Sequence, residues 1–309
     1  MSIESANTKP KSGERGWTHK VLRWETLLIA LILIVGFVNS QLSPFFLRTD
    51  NLLRASRDYV EIGLMMLTMV FVIITAGIDL AVASTLGMTA SFMGWLFNAG
   101  VNIWVAAAAA LVLGVLAGGF NGYLIARIKL PPLVVTLGTF ALYRGIAYSL
   151  LQDNAARGYP ASFTWLGQGR IGSMGIPVPL ILFVIMAVIF GLLLHKTAFG
   201  RMTYAIGNNE EASRYAGVPV ARVKWAIYTL SGLMGAVAGL VLAARFGSTR
   251  PDIGMGLELD VITATVLGGV SISGGSGTMI GALLSLLLIG ELKFGMGLLN
   301  VQGQVQGIV

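Results

Sequence analysis

The chain has 309 residues, of which 55% are hydrophobic and only 11% are charged, with a mean hydropathy of +0.79. A soluble domain carries about 25% charged residues, so this composition indicates a polytopic membrane protein. With no Cys and two His, the chain lacks the residues for a disulfide scaffold, a zinc site or thiol catalysis, and we expect no metal, no cofactor and no enzymatic activity. The net charge of +7 fits positive-inside topology better than nucleic-acid binding, since the basic residues are scattered between apolar runs.

Residues 1–25 are polar and basic, and no small-residue cleavage site follows the first apolar run. This pattern predicts a cytoplasmic N-terminal tail before an uncleaved signal-anchor helix. Nine apolar segments follow, at about 26–43, 62–76, 82–98, 103–125, 133–151, 178–194, 226–243, 259–267 and 278–292. The sequence therefore predicts an all-α, polytopic membrane helical bundle, with one transmembrane domain over 26–309 and some short or broken helices.

The fourth segment contains a run of glycines at small-xxx-small spacings, namely Gly114, Gly118, Gly119 and Gly122. Such spacings let two membrane helices approach closely along one face. We therefore expect another helix to pack against this segment.

The second and third segments are separated by a short break, 76–80, that contains Asp79. A carboxylate facing lipid would cost several kcal/mol, roughly, so Asp79 must face protein, water or a cation. The simpler interpretation is that it caps the N-terminus of the third segment. Residues 79–87 resemble 260–268 in sequence, which leaves open a weak internal repeat; helix-start capping is also the simpler interpretation of Glu258 and Asp260.

Further polar residues lie within or beside apolar segments, namely Asn121, Thr136, Thr139 and Arg144. Thr136, Thr139 and Tyr143 fall on one helical face and predict a stripe facing a translocation path. Hydroxyl and amide groups suit a passing polyol, but they equally suit hydrogen bonding between helices.

Two connections are longer than the others. Residues 152–177 are glycine-rich, and a loop of that length usually has a function or is disordered. Residues 195–224 are polar and contain a helix-like stretch: Asn208 or Asn209 can cap it, Glu210 and Glu211 suit its first turn, and Gly217 with Pro219 ends it. A helix of about two turns is too short to be stable alone, so it should be held by packing; a plain solvated loop is the other interpretation.

Alternating the segments from a cytoplasmic N-terminus places twelve of the 21 Lys and Arg residues inside and eight outside, with Arg144 in the membrane. This bias has the sign expected of cytoplasmic loops and puts 195–224 inside. The tail after residue 299 reads as the start of a tenth helix.

Several motifs recur in an order that resembles the ribose, xylose and autoinducer-2 branch of bacterial ABC importer permeases over about residues 25–309. Glu211-Ala212-Ser213 with Gly217 is similar to the Glu-Ala-Ala-x-x-x-Gly coupling loop of these permeases, with Ser213 in place of the second Ala. The other motifs are 77–84, Asn121-Gly122, Thr136-Leu137-Gly138-Thr139, Arg144-Gly145 and 258–277.

The resemblance implies a monosaccharide or autoinducer-2 permease of the bacterial inner membrane that contains ten membrane helices. It implies a dimer with a second permease copy, identical or not, that works with a cytoplasmic ABC ATPase and a periplasmic substrate-binding protein. Glu210, Glu211, Ala212 and Gly217 would then couple to the ATPase, and Asp79, Asn121, Thr136, Thr139 and Arg144 would line the path. Members of the family normally continue through one more membrane helix than the nine segments predicted here. Many relatives have a basic residue where this chain has Ser276, and that difference favours autoinducer-2 or deoxyhexose members.

Two other classes of transporter remain open from the residues. An ion-coupled secondary transporter with broken helices would use Asp79 as its proton or sodium site and would need no ATPase. A channel is less well supported, because the sequence shows no recurrent ring of filter-type residues.

Overall fold

The computed structural model describes residues 24–306, so the predicted tail 1–25 lies almost wholly outside the described residues. The helices are α1 Trp24–Leu42, α2 Thr49–Arg57, α3 Val60–Ile74, α4 Val82–Asn98, α5 Ile103–Ala126, α6 Pro132–Leu151, α7 Ala161–Gln168, α8 Val178–Lys196, α9 Ala198–Asn208, α10 Glu210–Tyr215, α11 Val220–Phe246, α12 Leu257–Leu267, α13 Met279–Leu298 and α14 Gly303–Gln306. Four two-residue strands form two antiparallel pairs, β1 Ala156–Arg157 with β4 Ser248–Thr249 and β2 Arg170–Ile171 with β3 Ile176–Pro177.

Each of the nine predicted segments corresponds to one helix, which confirms an all-α, polytopic membrane protein. Six helices are long and apolar enough to cross a membrane, namely α1, α5, α6, α8, α11 and α13. The segments predicted at 62–76, 82–98 and 259–267 form the shorter helices α3, α4 and α12. Which end of the bundle faces the cytoplasm stays a prediction.

Helix α3 lies at the centre of the core, and every residue from Val60 to Ile74 is buried. Helices α8, α9, α11, α12 and α13 pack against it. Large apolar side chains are exposed on α1, α5, α6 and α8, where a lipid environment would cover them. The bundle thus has a protein-lined interior and an apolar outer surface.

The predicted close packing of the fourth segment occurs between α5 and α11. A side chain added at Gly114, Gly118 or Gly122 would meet the backbone or Cβ atoms of α11. A Cβ added at Gly232 on α11 would likewise meet the backbones of Gly114 and Gly118. Gly119 instead has only ordinary contacts, so three of the four predicted glycines form the crossing.

Both long connections are more regular than the sequence indicates. Residues 152–177 contain α7 and three short strands, and α7 packs against α11. Residues 195–224 are almost continuously helical, because α9 buries Gly200, Thr203 and Ile206 against the bundle and α11 begins at Val220, two turns earlier than predicted. Packing against neighbours stabilises helices that are too polar to be recognised as membrane segments.

Candidate functional site

The short helix α10 forms as the capping residues predict. The Asn209 side chain caps it by accepting a hydrogen bond from the Ala212 backbone N–H at 2.8 Å. At the other end, Gly217 has a φ of +83°, and the N–H groups of Gly217 and Val218 donate to the carbonyls of Arg214 and Ser213. This pair of hydrogen bonds forms a Schellman motif, in which a glycine in the left-handed conformation terminates the helix.

The two glutamates of α10 have different surroundings. Glu210 forms ion pairs with Arg214 on α10 and with Lys224 on α11. Glu211 is exposed and forms no ion pair with any residue in 24–306. Glu210 therefore anchors α10 to α11. The side chains of Glu211 and Ala212 are exposed on the surface of α10.

A basic cavity of about 730 Å³ lies beside α10. Its other walls are formed by residues at the end of α5 and in the loop to α6, and by residues at the start of α11. Its charged lining residues are Arg127, Lys129, Arg214, Arg222, Lys224 and Glu210. The structure thus brings together, at one end of the bundle, two of the basic loops that the charge count assigns to the same side of the membrane; we call this the α10 end.

The end of α9 packs directly on the last residue of α3, just before the break. The Gly275 N–H donates to the Ile74 carbonyl at 2.9 Å, and a Cβ at Gly207 would lie only 1.8 Å from the Ile74 carbonyl oxygen and 2.5 Å from the Gly275 nitrogen. The backbones of α9, the end of α3 and the glycine-rich loop 268–277 therefore meet with no side chain between them. We call this contact of Gly207, Ile74 and Gly275 the glycine junction.

Tyr204 adds a second link between α9 and the glycine-rich loop. Its hydroxyl donates to the Gly277 carbonyl at 2.7 Å. Burial raises the pKa of this hydroxyl above its usual value, so the donor keeps its proton throughout the physiological range. The junction is thus held by hydrogen bonds as well as by close approach.

Replacing Gly207 with alanine is expected to lower thermal stability and transport together. The added methyl group must displace two backbone segments, and overpacking of this kind costs about 1–3 kcal/mol. Gly138→Ala is the matched control, since a Cβ at Gly138 meets no atom within 4 Å. Thermal unfolding in detergent should show a lower midpoint for the Gly207 variant alone; equal midpoints would show that the junction yields without cost.

Asp79 lies in the break and is 3% exposed. Its carboxylate accepts from the Ala81 N–H at 3.0 Å and from the Ser231 hydroxyl at 2.7 Å. The predicted cap, Asp79, does not occupy the N-cap position of α4. That position is Ala81, which has no side-chain cap, so Asp79 bonds one N–H just before α4 rather than capping the helix itself. Ser231, which no sequence pattern singles out, attaches the break to the middle of α11.

The predicted polar stripe on α6 is buried among other helices. The Thr136 hydroxyl donates to the Ile78 carbonyl of the break at 3.0 Å, and the Thr139 hydroxyl donates to Val135 within α6. Tyr143 donates to the Ala117 carbonyl at 2.9 Å and lies 3.2 Å from the Asn121 amide oxygen. These groups form hydrogen bonds that connect α5, α6 and the break, as expected if they serve hydrogen bonding between helices. Their role in lining the translocation path stays a prediction.

Arg144 is 8% exposed and connects three parts of the chain. Its guanidinium donates to the carbonyls of Pro251 and Ile253, at 2.9 and 3.0 Å, and to that of Ala83 on α4. Carbonyls thus take the place of an acidic partner. Arg144 positions the loop between β4 and α12, at the end of the bundle opposite α10.

The capping interpretation of Glu258 and Asp260 is wrong. The N-cap of α12 is Gly256, with no side-chain cap, and Asp260 instead pairs with Lys293 on α13 at 3.0 Å. The two repeat windows also differ locally, since Asp79 precedes its helix by three residues whereas Asp260 lies inside the first turn. The sequence similarity of 79–87 and 260–268 therefore does not extend to the local structure around the aspartates.

Comparison with known proteins places most of the chain in one group. Residues 51–309 match the family described as "Branched-chain amino acid transport system / permease component". The Autoinducer 2 import system permease protein LsrD of Klebsiella pneumoniae subsp. pneumoniae is 40% identical over 290 residues, which cover 92% of this chain and 87% of the relative. Its counterpart from Enterobacter sp. strain 638 is 38% identical, with coverages of 92% and 88%, and that from Escherichia coli K12 is 39% identical, with 91% and 87%. No solved structure matches this chain significantly.

Proposed function

The chain belongs to the branched-chain amino acid transport system permease component family, and we propose that it is the membrane permease of an ATP-driven, binding-protein-dependent importer. In this proposal a separate cytoplasmic ABC ATPase supplies the energy, a periplasmic protein delivers the solute, and two permease copies form the path. The solute is autoinducer 2 or a similar small sugar-like molecule, as the names of the relatives and the Ser276 position favour.

The observation that carries this proposal is the state of α10. A six-residue polar helix is capped at both ends, anchored by Glu210 and left exposed at Glu211 and Ala212. Such order in a short polar segment costs conformational entropy, which packing against α11 offsets. A rigid, exposed helix at a bundle end is suited to docking into a groove on a motor subunit.

The neighbouring contacts supply a route from α10 to the interior. Residues 207–209 lead directly from the glycine junction into α10, so displacement of α10 would press on Ile74 and the break. Through the break, the same displacement reaches Asp79 and its partner Ser231. Because Lys224 and Ser231 lie two turns apart on α11, the Glu210 ion pair offers a second route to the same place.

The proposed function is tested by uptake in cells that contain the permease, its ATPase and its binding protein. Labelled autoinducer 2, D-ribose and L-rhamnose are supplied while either ATP is depleted or the proton gradient is collapsed. Loss of uptake on ATP depletion alone is the expected result. Loss on collapse of the gradient alone would overturn the proposal in favour of the ion-coupled transporter.

Substitution of Asp79 separates the same two alternatives. In Asp79→Asn the amide oxygen still accepts from Ala81, and the amide nitrogen donates to a rotated Ser231 hydroxyl, so the fold keeps both hydrogen bonds. Uptake should therefore remain within about threefold of wild type for an ATP-driven permease. A secondary transporter using Asp79 as its ion site would lose coupled uptake, which a proton-gradient-driven assay of the same variant would record.

A further inference from the structure

A second cavity lies at the end of the bundle opposite α10. Its volume is about 530 Å³, and it is bounded by the start of α3, the end of α11 and the loop that precedes α12. Helix α11 is 27 residues long, so this cavity lies about 40 Å from the start of α11 beside α10. The volume falls within the range of about 300–1,000 Å³ typical of small-molecule sites.

The wall of this cavity contains a buried carboxylate. Glu61, in the first turn of α3, is 1% exposed. Its Oε1 accepts from Arg245 Nε at 3.0 Å, while its Oε2 has no hydrogen-bond partner within 24–306. A buried carboxylate oxygen without a partner is costly, which indicates that a donor is missing from this arrangement.

The other polar groups that line the cavity include both hydrogen-bond donors and acceptors. Arg245 also pairs with Asp58, and at the more exposed rim Arg250 pairs with Asp252 at 3.4 Å. The hydroxyl-bearing Ser248 completes the polar lining. The other lining residues are apolar and comprise Ile62, Leu242, Phe246, Ile253, Met255 and Leu257, with Gly254.

The charges of this lining nearly cancel. Three carboxylates face two guanidinium groups, so neither a strongly charged anion nor a multivalent cation would find an excess of opposite charge. A hydroxyl group both donates and accepts, and can therefore bond a carboxylate and a guanidinium at once. The apolar residues suit the C–H surface of a small ring.

From these observations we propose that the cavity is a solute site, which holds a small polyhydroxylated molecule at the entrance to the path. A hydroxyl of the solute donates to Glu61, and neighbouring hydroxyls bond Arg245 and the Arg250–Asp252 pair. The proposal rests on the proposed transport function and adds to it a location and a set of binding residues. Arg144 supports the site from behind, through the carbonyls of Pro251 and Ile253.

The alternative occupant of this surface is the delivering protein, which would contact the exposed Arg250 and Asp252 side chains. It would not explain the orphaned carboxylate of Glu61, which lines the cavity inside the rim formed by Arg250 and Asp252. The enclosed carboxylate therefore favours a small molecule.

The test measures solute transported per ATP hydrolysed in proteoliposomes that contain the complete transporter, with labelled autoinducer 2 loaded on the binding protein. Glu61→Gln should lower this ratio roughly tenfold, since it removes an ionic acceptor, and Asp252→Asn roughly threefold. A folding defect would lower the rate of solute transport and the rate of ATP hydrolysis in proportion, so it would leave their ratio unchanged. Asp252 is half-exposed, so its variant reports on the site even if Glu61→Gln fails to fold.

Asp50→Asn is the matched control, because Asp50 is an exposed carboxylate on α2 that does not line the cavity, and its ratio should equal that of wild type. Wild-type ratios in both cavity variants would overturn the solute site. Loss of the stimulation of ATP hydrolysis by the binding protein, with a normal ratio, would show that the rim docks that protein instead. Absence of ATP-dependent uptake by wild type would overturn the proposed function and, with it, this site.

Discussion

Replacing Glu211 with arginine is expected to abolish transport while the protein remains inserted and folded. Glu211 is exposed and has no ion pair within the described chain, so its reversal costs the permease only the interaction of a first-turn carboxylate with the helix dipole, about 0.3–1 kcal/mol. At a docking surface, by contrast, placing two like charges opposite each other weakens binding by roughly several kcal/mol, which suffices to separate a weakly bound partner. Uptake of labelled autoinducer 2 and co-purification of the ATPase are the two measurements.

Two further variants separate docking from a general charge effect. Glu211→Gln removes the charge without reversing it and should retain part of the uptake. Asp50→Arg makes the same change of net charge on an exposed residue of α2 and should leave uptake unchanged. Normal uptake by Glu211→Arg would refute the assignment of α10 as the coupling helix.

The largest loss of stability is expected from Gly118→Leu. A Cβ at Gly118 would already overlap the Tyr228 carbonyl and the Gly232 backbone, so a leucine forces α5 and α11 apart. Because α11 carries Ser231 and packs on α3, separation of these helices also disturbs the core. We expect destabilisation of about 3 kcal/mol or more and little folded protein in detergent.

The adjacent residue provides the control for this substitution. A Cβ at Gly119 meets only the Thr229 hydroxyl and the Trp225 ring at ordinary contact distances. Gly119→Ala should therefore leave the unfolding midpoint unchanged or slightly higher, as alanine favours helix over glycine. Size-exclusion profiles and thermal unfolding of the two variants check this, and similar behaviour of both would contradict the specific crossing at Gly118.

The features of α10 could be predicted because their causes are local. Asn209, Gly217 and the two glutamates lie within nine residues of one another, and capping depends on spacing along the chain. The difference between Glu210 and Glu211 could not be predicted in the same way. It depends on Lys224, which approaches only because α11 begins two turns earlier than its apolar segment.

The cavity opposite α10 could not be predicted from the sequence, for a related reason. Glu61, Arg245 and Asp252 occur in segments separated by up to 191 positions, and each reads locally as an ordinary charge at the end of an apolar run. The same holds for Asp79 and Ser231, which are 152 residues apart. A single serine in an apolar segment carries no signal that identifies its partner.

By itself, the sequence determined the class of protein, the nine helical segments and the capped helix α10. These follow from hydropathy over windows of about 20 residues and from turn chemistry over windows of a few residues, both of which act along the chain. Only the tertiary structure decided which glycines face a partner helix, where the Asp79 carboxylate is bonded and that a polar cavity forms opposite α10. Those features depend on which segments become neighbours, and packing specificity resides in contacts between distant residues rather than in local preference.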